Sequence, residues 1–95
     1  MIKWAAIKRK DGVIIKGKDH SECILKNPLE STFEDIQGFV TSEEIFVSRK
    51  EAGKIAWNSQ QIQEDPEGGI ICSEEIWLWG NCYYDETEGY KFKEK

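Results

Sequence analysis

Only one stretch of this 95-residue chain carries an apolar period long enough for a helix of several turns. Ser48-Arg49-Lys50-Glu51 opens it as a capping box, with Ser48 as N-cap and Glu51 three residues on. Ala52, Ile55, Ala56 and Ser59 then fall at i, i+3, i+4 and i+7, a face that leads on to Ile62. The spacing predicts a main helix over about 48–61. Every other apolar run is three or four residues long, so the rest of the chain must be built from short strands, turns and helical pieces. None of these runs could span a membrane as a helix.

The short pieces can be placed. Ile2 to Arg9 and Gly12 to Gly17 flank Asp11-Gly12, a hairpin signal because Gly accepts a positive φ. Asp19-His20-Ser21-Glu22 reads as a second capping box, which opens a short helix over about 19–27. Asn27-Pro28 ends it, since proline disfavours helical geometry in the residue before it. Residues 29–35 form a polar linker. Ile36 to Thr41 is a strand, Ser42-Glu43-Glu44 a turn and Ile45-Phe46-Val47 a short extended piece. Residues 63–69 are an acidic loop, and Ser73 caps one helical turn that runs to Trp77. Residues 78–84 and 90–93 pair as a closing hairpin; there Trp77 and Trp79, two apart, would share a face if extended. The expected fold is α+β. It has a small antiparallel β-sheet (an N-terminal hairpin plus central strands), the main helix and the short helix, in a single domain over 1–95.

Size and composition bear on assembly. The chain is 39% hydrophobic and holds four Trp, four Phe and three Tyr, which suits a folded domain. So short a chain buries only about 60–65% of its unfolded surface, so a homo-oligomer is expected. The N-terminus shows no apolar signal core, and the expected location is the cytoplasm.

Charge is distributed unevenly. Residues 1–18 carry six basic groups and one acid, a net +5, whereas the remainder has seven basic groups and seventeen acids, a net −10. The total of −5 argues against long nucleic acid, which demands many phosphate contacts. The basic strip can either hold a small anion or balance the acidic remainder across a contact.

Enzyme and metal signatures are absent from the sequence. Cys23, Cys72 and Cys82 are widely spaced and form no CxxC, and a four-ligand zinc site would need all three with His20, the only histidine. Reduced thiols, no metal and no cofactor are expected. No phosphate-binding glycine loop, HExxH or GxSxG occurs. Arg49 stands out. A cation in the first turn of a helix opposes the helix dipole, and an anion bound at that terminus would reconcile it. Tryptophan faces can serve as core, as interface or as a platform for a nucleobase.

A longer pattern joins these pieces. Ala5-Ala6-Ile7, Asp11-Gly12, Gly17-Lys18 and His20 come first. Gly38-Phe39-Val40-Thr41, Arg49, Glu51-Ala52, Ala56, Gln61-Ile62 and Ser73-Glu74-Glu75-Ile76-Trp77 follow. Over about residues 4–77 this order resembles a family of small bacteriophage proteins that includes the Thoeris anti-defence sponges. The resemblance implies a non-catalytic, oligomeric α/β protein that sequesters a cyclic ADP-ribose-type signal or a cyclic oligonucleotide between protomers. On that reading Lys18, His20 and Arg49 hold phosphates. Gln61 and the Ser73-Glu74 turn read ribose or base edges, and Trp77 stacks on a base. Four positions depart from the pattern: Asp19 replaces a basic residue, Gln60 a glycine, and Glu75-Ile76 an Asp-Leu pair. The rival reading is an acidic protein-binding inhibitor of a host nucleic-acid-binding defence protein; a hydrolase of nucleotide signals is disfavoured by the single histidine.

Overall fold

The structure, a computed structural model, describes residues 1–27 and 35–93. Four strands, β1 (Ile2–Lys8), β2 (Ile14–Gly17), β3 (Ile36–Thr41) and β4 (Phe46–Ser48), form an antiparallel sheet in the order β2-β1-β3-β4. Three helices, α1 (His20–Lys26), α2 (Arg49–Asn58) and α3 (Glu74–Trp77), and a two-stranded hairpin of β5 (Cys82–Asp85) and β6 (Gly89–Phe92) complete it. The architecture is the α+β arrangement expected from the sequence. Residues 29–34 of the expected linker lie outside the described residues.

Strand alternation sets the core face. Ala5 stands opposite Gly17 on one side and Phe39 on the other, and Ile7 opposite Ile15 and Gln37. Ala5, Ile7 and Phe39 are buried with Cys23 of α1 and with Ala52 and Ala56 of α2. Small residues on α2 let it approach the sheet closely, which the helical period required.

The local signals at both helix starts hold. Asp19 accepts the Glu22 N–H at 2.8 Å, and Ser48 Oγ accepts the Glu51 N–H at 3.1 Å. Ser73 does not cap α3. Its own backbone is already helical, and its hydroxyl turns to the Glu74 carboxylate at 3.2 Å. The Asp-Gly hairpin is also wider than expected. Lys8 and Ile14 are the last pair, and the Arg9 N–H closes a five-residue loop on the Val13 carbonyl at 2.9 Å. The closing hairpin starts later, at Cys82, because the Leu78 and Trp79 N–H groups both return to the Glu74 carbonyl. Trp77 and Trp79 therefore do not share the face of a strand.

The main helix stops at Asn58 rather than near 61. The Gln61 N–H bonds the Ala56 carbonyl at 2.9 Å and the Gln60 N–H the Trp57 carbonyl at 3.0 Å, which together make a Schellman motif. Gln60 holds its left-handed position at φ 62°. Glycine is the usual residue there.

The hairpin after residue 77 belongs to the core. Tyr90 is the largest fully buried side chain, and Cys82 is buried in the same cluster. The Tyr90 hydroxyl donates to the Lys18 carbonyl, and Lys3 Nζ donates to the Tyr90 carbonyl at 2.9 Å. Gly89, at φ 81°, permits this approach: a Cβ there would collide with the Lys3 carbonyl.

Replacing Gln60 with Gly tests the cap. A non-glycine residue in the left-handed region costs about 1–2 kcal/mol, and glycine returns about 0.4–1 kcal/mol of that to the unfolded chain. Gln60→Gly should therefore stabilise the fold by about 0.5–1 kcal/mol in urea denaturation.

Candidate ligand-binding site

Six of the seven residues singled out from the sequence lie on three segments that meet at the N-terminal end of α2. Lys18 and His20 follow β2 and open α1, Arg49 is the first residue of α2, and Ser73, Glu74 and Trp77 belong to the α3 turn. Lys18 Nζ sits 4.0 Å from the centre of the Trp77 ring, a close cation–π contact. The Trp77 indole N–H is buried and has no acceptor among the described residues.

His20 is anchored rather than free. Its Nε2 lies 2.8 Å from the Gly38 carbonyl, and its ring meets Phe39 edge-on at 5.2 Å. A carbonyl only accepts, so Nε2 carries the proton and Nδ1 is the open nitrogen. Burial lowers the His20 pKa below 6.5; the Gly38 hydrogen bond opposes this, Arg49 adds to it, and Glu74 and Asp19 oppose it. At neutral pH His20 is therefore an uncharged imidazole, which alters the phosphate-holding role expected of it.

Arg49 is partly committed. Its Nε donates to the Ile71 carbonyl at 3.1 Å, and an Nη touches the Cys72 sulfur at 3.8 Å. The guanidinium thus ties the start of α2 to the segment before α3, which offsets its unfavourable place on the helix dipole. Neither Arg49 nor Lys18 has a carboxylate within 4 Å among the described residues, whereas Arg9, Lys16, Lys26 and Lys91 all do.

Ser73 and Gln61 are placed differently from expectation. Ser73 is 2% exposed and bonded to Glu74, so it shapes the turn from within. Gln61 is fully buried and faces β1, not the cluster. Its Oε1 accepts the Ile2 N–H and its Nε2 donates to the Ile2 carbonyl, both at 2.7 Å. That amide is spent on the backbone and cannot read a ligand. Sequence reasoning missed the Gly38 and Ile71 carbonyls that orient His20 and Arg49, because backbone acceptors leave no residue-type signal.

Two clefts, of about 330 and 310 Å³, lie elsewhere and are lined by none of the seven residues. No three His, Cys, Asp or Glu side chains converge as metal ligands among the described residues. None of the three cysteines is in a disulfide. Cys23 and Cys82 are buried, burial pushing the Cys23 thiol up to about 12, and Cys72 is exposed.

Residues 1–77 match the family model described as phage T4 y16D protein. The chain belongs to that family. The match includes every residue of the cluster and stops short of the β5–β6 hairpin, so y16D family membership covers the site but not the last buried strand. No curated protein and no solved structure matches this y16D family chain. No described helix is long and apolar enough to cross a membrane.

Two outcomes test these assignments. Gln61→Leu leaves the buried N–H and carbonyl of Ile2 without their partner, at about 1–3 kcal/mol each, so denaturation should show a loss of about 2–5 kcal/mol. His20 gives a pH test. Its folded pKa lies below the unfolded value, so its contribution is complete above 6.5 and is lost as pH falls through the folded pKa. Wild-type stability should decline from 6.5 towards about 5, before carboxylates titrate, and His20→Gln should remove that part of the slope.

Proposed function

We propose that this y16D family protein is a phage-encoded anti-defence protein of the host cytoplasm. It binds a small anionic cyclic nucleotide, of cyclic ADP-ribose type or a cyclic oligonucleotide, and holds it without cleaving it, as a homo-oligomer. The observation that carries this reading is the pair Lys18 and Arg49. Lys18 lies on the Trp77 ring and Arg49, from a distant segment, acts on His20 of the same cluster, and neither has a carboxylate within 4 Å among the described residues.

The geometry supports a simple exchange. Lys18 covers the Trp77 ring in the absence of ligand. A phosphate draws the ammonium aside, and a base then takes its place on the indole, where stacking contributes about 1–3 kcal/mol. Arg49 offers its remaining guanidinium N–H groups to the same phosphate, beside the amide donors of the α2 N-terminus. Neutral His20 contributes Nδ1 as an acceptor for a ribose hydroxyl. Glu74 supplies a second acceptor and repels a misplaced phosphate. A sequestering protein acts by mass action, so tight binding and abundance replace turnover.

Calorimetry with cyclic ADP-ribose isomers and with cyclic di- and trinucleotides, followed by chromatography of released ligand, tests the reading. One ligand should bind and return intact. Lys18→Ala should weaken it by about 1.5–3 kcal/mol, as for a charge-assisted hydrogen bond, and Arg49→Lys should keep only part of the wild-type affinity. Native mass spectrometry should show a dimer or larger. If no cyclic nucleotide binds, the proposal fails. If charge reversal of Glu43 or Glu44 then abolishes capture of a host nucleic-acid-binding protein, the acidic-inhibitor reading replaces it.

A further inference from the structure

The 330 Å³ cleft is lined by Ile62, Gln63, Glu64, Cys72, Glu75 and Trp79. Its composition is opposite in sign to the Lys18–Arg49 cluster. Two carboxylates enter its wall and no basic side chain does; Arg49 reaches only the Cys72 sulfur at one end. Trp79 is 64% exposed, a large apolar ring left in water on an acidic surface. Ile62 is nearly fully buried and provides a fixed apolar wall. The remaining polar groups are partly engaged. Glu75 accepts the Cys72 N–H through one oxygen at 2.7 Å, and Gln63 donates to Asn81 at 2.7 Å.

Elimination narrows the ligand. An anion would meet Glu64 and Glu75. A neutral apolar ligand would strip water from both carboxylates with no return. A bare metal ion lacks a convergent ligand set among the described residues. A cation with an organic body uses every wall: its charge meets the carboxylates, its face or stem meets the indole, and its aliphatic part meets Ile62. The volume is of the order that takes a small ligand or one long side chain.

We propose that this cleft binds a small organic cation, an alkylammonium or guanidinium group, between the Trp79 indole and the carboxylates of Glu64 and Glu75. The site is separate from the one assigned to the cyclic nucleotide and does not depend on that assignment.

The test is calorimetry of the full chain with spermidine and, separately, with a short arginine-containing peptide amide, at constant ionic strength. Spermidine binding identifies a free polyamine as the source of the cation, and peptide binding a basic side chain of a partner; either supports the site. Trp79→Ala should weaken binding about fivefold, the scale of a cation–π contact at an exposed site. Glu64→Gln and Glu75→Gln should each do the same, and Glu75→Gln keeps an oxygen for the Cys72 N–H, so the turn is retained. Circular dichroism of each variant confirms the fold. The proposal is overturned if neither cation binds, or if binding survives unchanged in all three folded variants, since the attraction would then be only that of an acidic surface.

Discussion

The Gln61 side chain occupies the place of a missing strand. β3 pairs with β1 from Lys8 back to Ile2, with a register shift between Trp4 and Ile2, but β2 ends opposite Ala5, so the first residues of β1 have no strand neighbour on that edge. A primary amide offers a donor and an acceptor side by side, as a peptide group does. Gln61 uses both on Ile2 and so satisfies a buried N–H and carbonyl that would otherwise be costly. The same residue closes α2 through its N–H, and its carbonyl accepts the Asn81 N–H at 3.0 Å. One position therefore fixes the end of the main helix, the start of the sheet and the entry to the last hairpin.

The rest of the architecture follows from that junction. Asn81 extends it by donating to the Gln60 carbonyl and accepting from Gln63, both at 2.7 Å. Gly80 lets the backbone pass, since a Cβ there would strike the Gln61, Glu75 and Ile76 carbonyls. With both ends of α2 set, by Ser48 at one and the Schellman turn at the other, Arg49 is carried to the Ile71 carbonyl. The α3 turn then divides its side chains. Glu74 and Trp77 join Lys18 and His20, while Glu75 and the following Trp79 line the acidic cleft. Adjacent glutamates in the sequence thus serve surroundings of opposite charge.

How much of this was legible depended on the distance over which each residue acts. The caps at Asp19 and Ser48 act over three residues and could be read directly. The strands over 2–8 and 36–41 could be read as extended apolar runs, but the face that Ala5 and Ile7 share could not, since Ala6 between them is apolar and buried too. The end of α2 could not, because Gln60 sits where the left-handed turn would normally advertise itself with a glycine. The place of Gln61 could not be read either: the resemblance alone gave it a role, toward a ligand, and its partner, Ile2, lies at the far end of the sequence. Tyr90 gave no signal either, since nothing near it shows that its hydroxyl reaches Lys18. At the candidate site the side chains were legible and their backbone acceptors were not. The cluster was recognisable as residues, while the neutral state of His20 and the tether on Arg49 emerged only with the fold.

The proposed anion site is compatible with a net charge of −5, given how charges act in salt water. Screening limits an exposed charge to about 8–10 Å at physiological ionic strength, so the acidic loop over 63–69 contributes little beyond its own neighbourhood. What a phosphate would feel is local: the Lys18 ammonium, the Arg49 guanidinium and the amide end of α2, against the nearby carboxylates of Glu74 and Asp19. Neutral His20 fits the same balance. The Arg49 guanidinium raises the cost of charging an imidazole that burial already disfavours, so the positive charge of the cluster stays on Lys18 and Arg49. For the proposed binding, the charge that matters is set by which groups the fold leaves without carboxylate partners, and net charge alone does not reveal it.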